Sequence, residues 1–135
     1  MIYIIFFLSL LYMHIMDDFV FQGVLSKLKR KVFWLKDKEY KEIYKYDYII
    51  SLIIHALSWT ISINIPVMFI LIHYNKLDNI MYTTIFIIEF LLNWLIHSIV
   101  DDLKANKMKI NLITDQIIHF IQVSIIFILF VNILY

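Results

Sequence analysis

The chain contains no cysteine among its 135 residues. That excludes disulfides, a thiolate metal site and a cysteine nucleophile. Any metal would have to be held by His, carboxylate, amide or water. Glycine and proline occur once each. An excess of one charge sign is also missing. The formal net charge is +1, which argues against a bulk nucleic-acid binder. The N-terminus, MIYIIFFLSLLYMHIM, lacks a basic n-region and a small-residue cleavage site. It is expected to be a retained first span and not a cleaved signal peptide. No repeat of fixed period and no low-complexity tract is present.

What the chain has in excess is apolar residues. They make up 62% of it, above the roughly 45–50% of an ordinary soluble domain. They fall into long runs broken by charged patches, the pattern of a polytopic membrane protein. Four spans are expected, over 1–22, 48–74, 80–100 and 112–135. About 20 residues at 1.5 Å rise cross a 30 Å hydrocarbon core, and each run is that long. Barrel strands are about 10 residues long and alternate in polarity, so strands are not expected. The predicted fold class is all-α: one domain, a bundle of four transmembrane helices in the cell (inner) membrane. Pro66 is expected to kink the second span.

Charge sets the orientation. Lys27, Lys29, Arg30, Lys31, Lys36, Lys38, Lys41 and Lys45 lie between the first two spans. Lys104, Lys107 and Lys109 lie between the third and fourth, and only Lys76 is in the middle connection. The positive-inside rule places both basic loops in the cytoplasm and both termini outside. In the first basic loop Leu25, Leu28, Val32 and Leu35 recur at helical spacing, followed by Trp34 and several Tyr residues. That spacing fits an amphipathic helix on the inner leaflet, and equally a solvated basic loop that fixes topology.

Polar residues punctuate the spans. His14, Asp18 and Gln22 are four apart and share one helix face. Asp17, about 100° away on an α-helix, is expected at the headgroups. His55 lies about two turns into the second span, near Ser51, Ser58, Trp59 and Ser62. His97, Asp101 and Lys104 share a face of the third span, and Glu89 and Asn93 extend it deeper. Asp115 and His119 share a face of the fourth, with Gln116 beside them and Gln122 one turn on. Alternate spans run in opposite directions, so all four imidazoles come to about 6–12 Å from the inner surface. Independent placement would rarely produce that match.

Ionisable groups in a membrane are expensive, about 2.5–3.5 kcal/mol each near a helix centre on insertion scales. A His with a carboxylate one turn away can chelate a metal from a single helix. The expected ligands are His14, Asp18, His97, Asp101, Asp115 and His119, around a divalent zinc, manganese or iron ion. His55 is expected to be a ligand or proton shuttle, and His55 and Asp115 are the expected catalytic groups. Gln22, Lys104 and Gln116 are expected to support the site. The competing reading is that such residues glue helices together through hydrogen bonds of about 0.6–2 kcal/mol each. That reading is adopted for His73, beside the outer surface, and Glu89 stays open between the two.

The motifs resemble those of a bacterial and phage membrane family, "domain of unknown function 3307". His14, Asp18, Phe19 and Gln22 match the first span of that family, and His55 the second. His97, Asp101 and Lys104 match the third, and Asp115, Gln116 and His119 the fourth. The likeness runs along essentially the whole chain. It implies a multi-pass membrane protein, here a short version without an extra domain, and supplies no activity. By analogy with similar small families, a membrane-bound metal-dependent hydrolase is the expectation. Asp17 and Asp102 depart from the pattern by adding a second acid beside each motif Asp.

Three functions compete on these residues. The first is a metal-dependent hydrolase of a lipid or lipid-linked substrate. The second is a non-enzymatic membrane module: a metal sensor, an assembly factor or a modifier of a host envelope. The third is a cation or proton transporter, against which the outer halves argue, since they offer Ser, Thr and Asn but no ionisable group. The expected partners are the lipid bilayer, a lipid substrate and a second copy of the chain, with no nucleic acid.

Overall fold

The computed structural model describes residues 1–36 and 41–134. Lys38 and Tyr40 of the basic connection, and Tyr135 at the end of the fourth span, lie outside the described residues. Helix α1 covers Ile2–Ile15 and runs on into a π-helical turn, Met16–Phe21. Three single-turn helices follow: α2 (Leu25–Leu28), α3 (Lys31–Trp34) and α4 (Lys41–Tyr44). Three long helices complete the chain: α5 (Asp47–His73), α6 (Ile80–Ala105) and α7 (Leu112–Leu134). Among the described residues there is no strand. Four segments are long and apolar enough to cross a membrane: Ile2–Phe21, Glu42–His73, Ile80–Ala105 and Leu112–Leu134.

The local reasons are simple. In hydrocarbon every backbone N–H and C=O must be paired within the segment, and an uninterrupted Ile/Leu/Phe run does this as a helix. The single glycine sits just past the first span with φ +48°, the left-handed conformation that ends a helix most cheaply on glycine. Helix α6 starts on Asn79, whose side chain accepts a hydrogen bond from the Met81 N–H. Pro66 lies inside α5, which continues past it to His73. Lacking an N–H, Pro66 leaves the Ser62 carbonyl without its usual helical donor.

The four long helices form a ring in chain order, with α1 against α5, α5 against α6, α6 against α7 and α7 back against α1. Cross-helix pairs show that neighbours are antiparallel. Tyr3 meets Tyr74 while Gln22 meets His55. Asn93 meets Gln122 while Lys104 meets Asp115.

The interior has two halves. The half toward the termini is apolar, built on Phe6, Leu10, Ile63, Val67, Ile126 and Phe130. The other half holds His14, Asp17, His55, His97, Asp101, Asp115 and His119, all buried. Trp59 sits between them, fully covered. The outward faces are greasy: Ile4, Leu8, Ile88, Leu91, Ile117 and Ile125 are exposed. That is the inverse of a water-soluble bundle, in which such faces would be polar.

The first basic connection differs from the single amphipathic helix considered above. Helices α2 and α3 are separate turns, divided at Arg30, whose backbone is extended at φ −95° and ψ 119°. The break follows from Lys29. Its ammonium turns inward onto the Asp101 carboxylate and is 3% exposed. A straight helix over this segment would leave that lysine among the other basic side chains at the surface. Asn106 at the end of α6 pins the break, donating to the Lys29 carbonyl and accepting from the Lys31 N–H.

Candidate metal centre

The centre draws on every long helix. The π turn ending α1 supplies Asp17 and Asp18, and α5 supplies His55. Helix α6 supplies His97 and Asp101 one turn apart, and α7 supplies Asp115 and His119 likewise. Four side chains converge most closely. His55 Nε2 lies 3.4 Å from His97 Nε2, 3.5 Å from Asp18 Oδ1 and 3.2 Å from Asp101 Oδ2. His97 Nε2 lies 3.8 Å from Asp18 Oδ1 and 3.9 Å from Asp101 Oδ2. A tetrahedral ion with bonds of about 2.0–2.1 Å holds its ligand atoms about 3.3–3.4 Å apart. The three spacings from His55 match that edge within about 0.2 Å, and the two from His97 to the carboxylates exceed it by about 0.5 Å. Among the described residues, two triads of ligand atoms could hold a metal ion: Asp18, His55 and His97, and His97, Asp101 and His119. They share His97, whose single Nε2 lone pair serves one ion.

Unmet hydrogen-bonding atoms point the same way. Asp18 Oδ1, Asp115 Oδ1 and His119 Nε2 are buried without a hydrogen-bond partner. A buried unpaired polar atom costs about 1–3 kcal/mol, so several in one place call for a missing cation or proton. His119 donates from Nδ1 to Gln122 Oε1 at 2.8 Å, which leaves its Nε2 lone pair bare. That lone pair faces Asp115 Oδ1 at 3.5 Å and Asp101 Oδ1 at 4.0 Å. Two protein donors already aim at the ligand atoms. Lys29 Nζ binds Asp101 Oδ2, and Gln22 Nε2 lies 3.2 Å from His55 Nε2.

A second layer orients these groups. Asp17 accepts hydrogen bonds from Ser58 at 2.8 Å and Ser62 at 3.1 Å. Its Oδ2 lies 3.8 Å from His55 Nδ1, behind the ring. A carboxylate behind a histidine that faces a metal is the usual second-layer arrangement. The expectation that Asp17 meets the headgroups is therefore corrected: it is 1% exposed. Helix α1 packs between α5 and α7, so two adjacent directions on it both face the interior. Asp17 takes the α5 side, while Asp18 reaches Gln116 of α7. The π turn, one residue longer per hydrogen-bonded ring, sits where both acids are brought in.

The remaining expected residues lie around this cage. His14 accepts at Nδ1 from the Trp59 indole N–H at 3.0 Å and lies 3.5 Å from Asp18 Oδ2. Its Nδ1 lone pair is thus engaged outside the closest four. Asp115 is held by Lys104 and by Gln116, the latter at 3.0 Å. Glu89 is about 12 Å deeper than His97, eight residues at 1.5 Å. It is linked to the centre by a chain of hydrogen bonds: His119 to Gln122, Gln122 to Asn93, Asn93 to Glu89. His73 lies exposed near the other end, in ring contact with Tyr74.

Three participants escaped the sequence reading. For Asp17 the signal was Ser58 and Ser62, one turn apart on the facing helix. For Trp59 it was the four-residue step from His55. Its ring stacks on His97 at 4.3 Å, and His97 stacks on His119 at 4.2 Å. For Lys29 no local signal existed.

A cavity of about 590 Å³ lies between α1 and α5 against Phe6, Pro66 and Phe69, away from this chemistry. Comparison of the chain with known protein families, curated proteins and solved structures gives no match.

Proposed function

We propose that this chain is a multi-pass protein of the cell (inner) membrane, with its basic end in the cytoplasm, that acts as a metal-dependent hydrolase on a lipid or lipid-linked substrate. One observation carries the reading: the buried cluster of His55, His97, Asp18 and Asp101, in which the two imidazoles lie 3.4 Å apart and each carboxylate lies 3.2–3.9 Å from both. Four segments long and apolar enough to cross a membrane support the multi-pass part of it. A set of two imidazoles and two carboxylates suits zinc, manganese or iron(II). Such an ion acidifies water and polarises a carbonyl or phosphoryl oxygen.

The chain's own residues divide the remaining work. Asp17 steadies His55 from behind. Gln122 fixes the His119 ring so that Nε2 is free to take a proton, and Asp115 stabilises the resulting imidazolium. As the water oxygen bonds to carbon or phosphorus, His119 would take its proton and hand it to the departing oxygen. Lys104 holds Asp115 in place beside it.

The test is elemental analysis of detergent-purified protein beside His97→Ala and Asp101→Asn. About one divalent transition-metal ion per chain, lost in both variants, is expected. Folded wild type without metal, after purification free of chelators, would overturn the reading.

Movement of a cation or proton is a second reading with one observation behind it. The chain of hydrogen bonds to Glu89 carries polar groups toward mid-membrane. Beyond it the interior is apolar, through Val67, Ile126 and Phe130. Proton or metal flux in proteoliposomes, abolished by Glu89→Gln, would favour this reading over hydrolysis.

A further inference from the structure

The hydrolase reading leaves open what kind of head group the centre meets, and the pocket beside it bears on that. A cavity of about 280 Å³ opens at the basic end of the bundle, lined by Gln22, Ser26, Lys29, Arg30 and Lys104. It shares a wall with the centre. Gln22 touches His55, Lys29 touches Asp101, and Lys104 touches Asp115 and lies 4.0 Å from Asp101 Oδ1. We propose that this pocket binds a phosphate group, and that the substrate class is a lipid with a phosphate or pyrophosphate head. The proposal rests on the hydrolase reading for the chemistry but not for the binding.

The lining favours one charge type. It holds three cations and the Gln22 amide, and no carboxylate. Lys29 and Lys104 are each shared with a carboxylate of the centre, but Arg30 is not. Among the described residues its guanidinium has no ion-pair partner. The backbone sets where this side chain begins. The extended break at Arg30 lies between α2 and α3 and is tied to α6 through Asn106 on both sides. The planar guanidinium, on a backbone fixed on both sides, matches the paired oxygens of a phosphate. A phosphate monoester brings about −1.5 to −2 of charge, enough to engage Arg30 and both lysines together. A neutral ester would engage none of the three by charge. The place also fits: head-group phosphates lie at the end of a transmembrane bundle, where this pocket opens.

Charge balance adds a condition. The four acids at the centre, Asp17, Asp18, Asp101 and Asp115, outnumber Lys29, Lys104 and Arg30 by one. A divalent ion in the cage reverses that balance and draws an anion to the pocket. Phosphate should therefore bind more tightly to metal-loaded protein.

Calorimetry on detergent-purified protein of measured metal content tests this. Three probes are titrated: inorganic phosphate, short-chain phosphatidic acid, and short-chain diacylglycerol as the uncharged control. Wild type is expected to bind phosphatidic acid. Arg30→Ala should weaken it about tenfold or more, as loss of a charge-assisted hydrogen bond does, and Arg30→Lys should restore part of it. Arg30 is exposed, so these variants keep the fold. Binding of inorganic phosphate without phosphatidic acid overturns the lipid assignment. No phosphate binding, or equal affinity in Arg30→Ala, overturns the pocket. The metal readings separate the two ideas. Protein that takes up no metal yet binds phosphatidic acid through Arg30 keeps the pocket and sinks the hydrolase. Metal-loaded protein indifferent to phosphate does the reverse.

Discussion

Asp17 shows how much one side chain's direction matters. It sits behind His55 with both serine hydroxyls on one oxygen and the imidazole facing the other. Asp17→Asn should weaken metal binding about 10–100-fold, the usual effect of losing such an outer carboxylate. Competition with a chromophoric chelator reads this directly, and unchanged affinity would remove Asp17 from the centre. The double change Ser58→Ala and Ser62→Ala strips the Asp17 carboxyl of its donors. It should lower stability by about 1–3 kcal/mol, seen in thermal unfolding. Neither effect was legible in the sequence, because a 100° step looks outward until the neighbours of the helix are known. Lys29 was equally hidden. In a run of basic residues nothing marks the one that turns inward, since its partner Asp101 is 72 positions away. His14, by contrast, was legible in depth but not in role. Counting residues gives its height, whereas the Trp59 indole that occupies its Nδ1 comes from another helix.

At the level of elements, counting 1.5 Å per residue was enough to bring His55, His97 and His119 to one depth, because each lies in an unbroken α-helix. The rule loses accuracy where the helix changes type, at Met16–Phe21. The single glycine has a sharper consequence. A Cβ at Gly23 would meet only the Phe21 carbonyl oxygen, at 3.7 Å, an ordinary contact. The penalty of Gly23→Ala is therefore backbone strain alone, about 1–2 kcal/mol for an L-residue in the left-handed region. A thermal shift downward with metal content retained is the expected result. A neutral outcome would mean that the chain leaves the first span differently. The break between α2 and α3 was not legible, since Leu25, Leu28, Val32 and Leu35 carry a good helical period through it. Tertiary pairing of Lys29 outweighs a pattern that is locally consistent.

For the molecule as a whole, an ion in the cage would join α5 and α6 to the end of α1, three of the four spans. Such an ion stabilises the folded bundle by mass action, about 2.7 kcal/mol at a hundred times its dissociation constant. Adding a chelator should lower the melting temperature of wild type and leave His97→Ala unmoved. Equal shifts in both would place the metal elsewhere. Trp59 offers a way to watch this without labels. Its indole stacks at 4.3 Å on the His97 ring, while Trp34 and Trp94 hydrogen-bond backbone carbonyls outside the cage. Imidazole quenches indole emission on contact, and more strongly once it is protonated. With Trp34 and Trp94 replaced by Phe, the fluorescence of the remaining tryptophan becomes an optical gauge of protons and metal on the histidines around it, His14, His97 and His119.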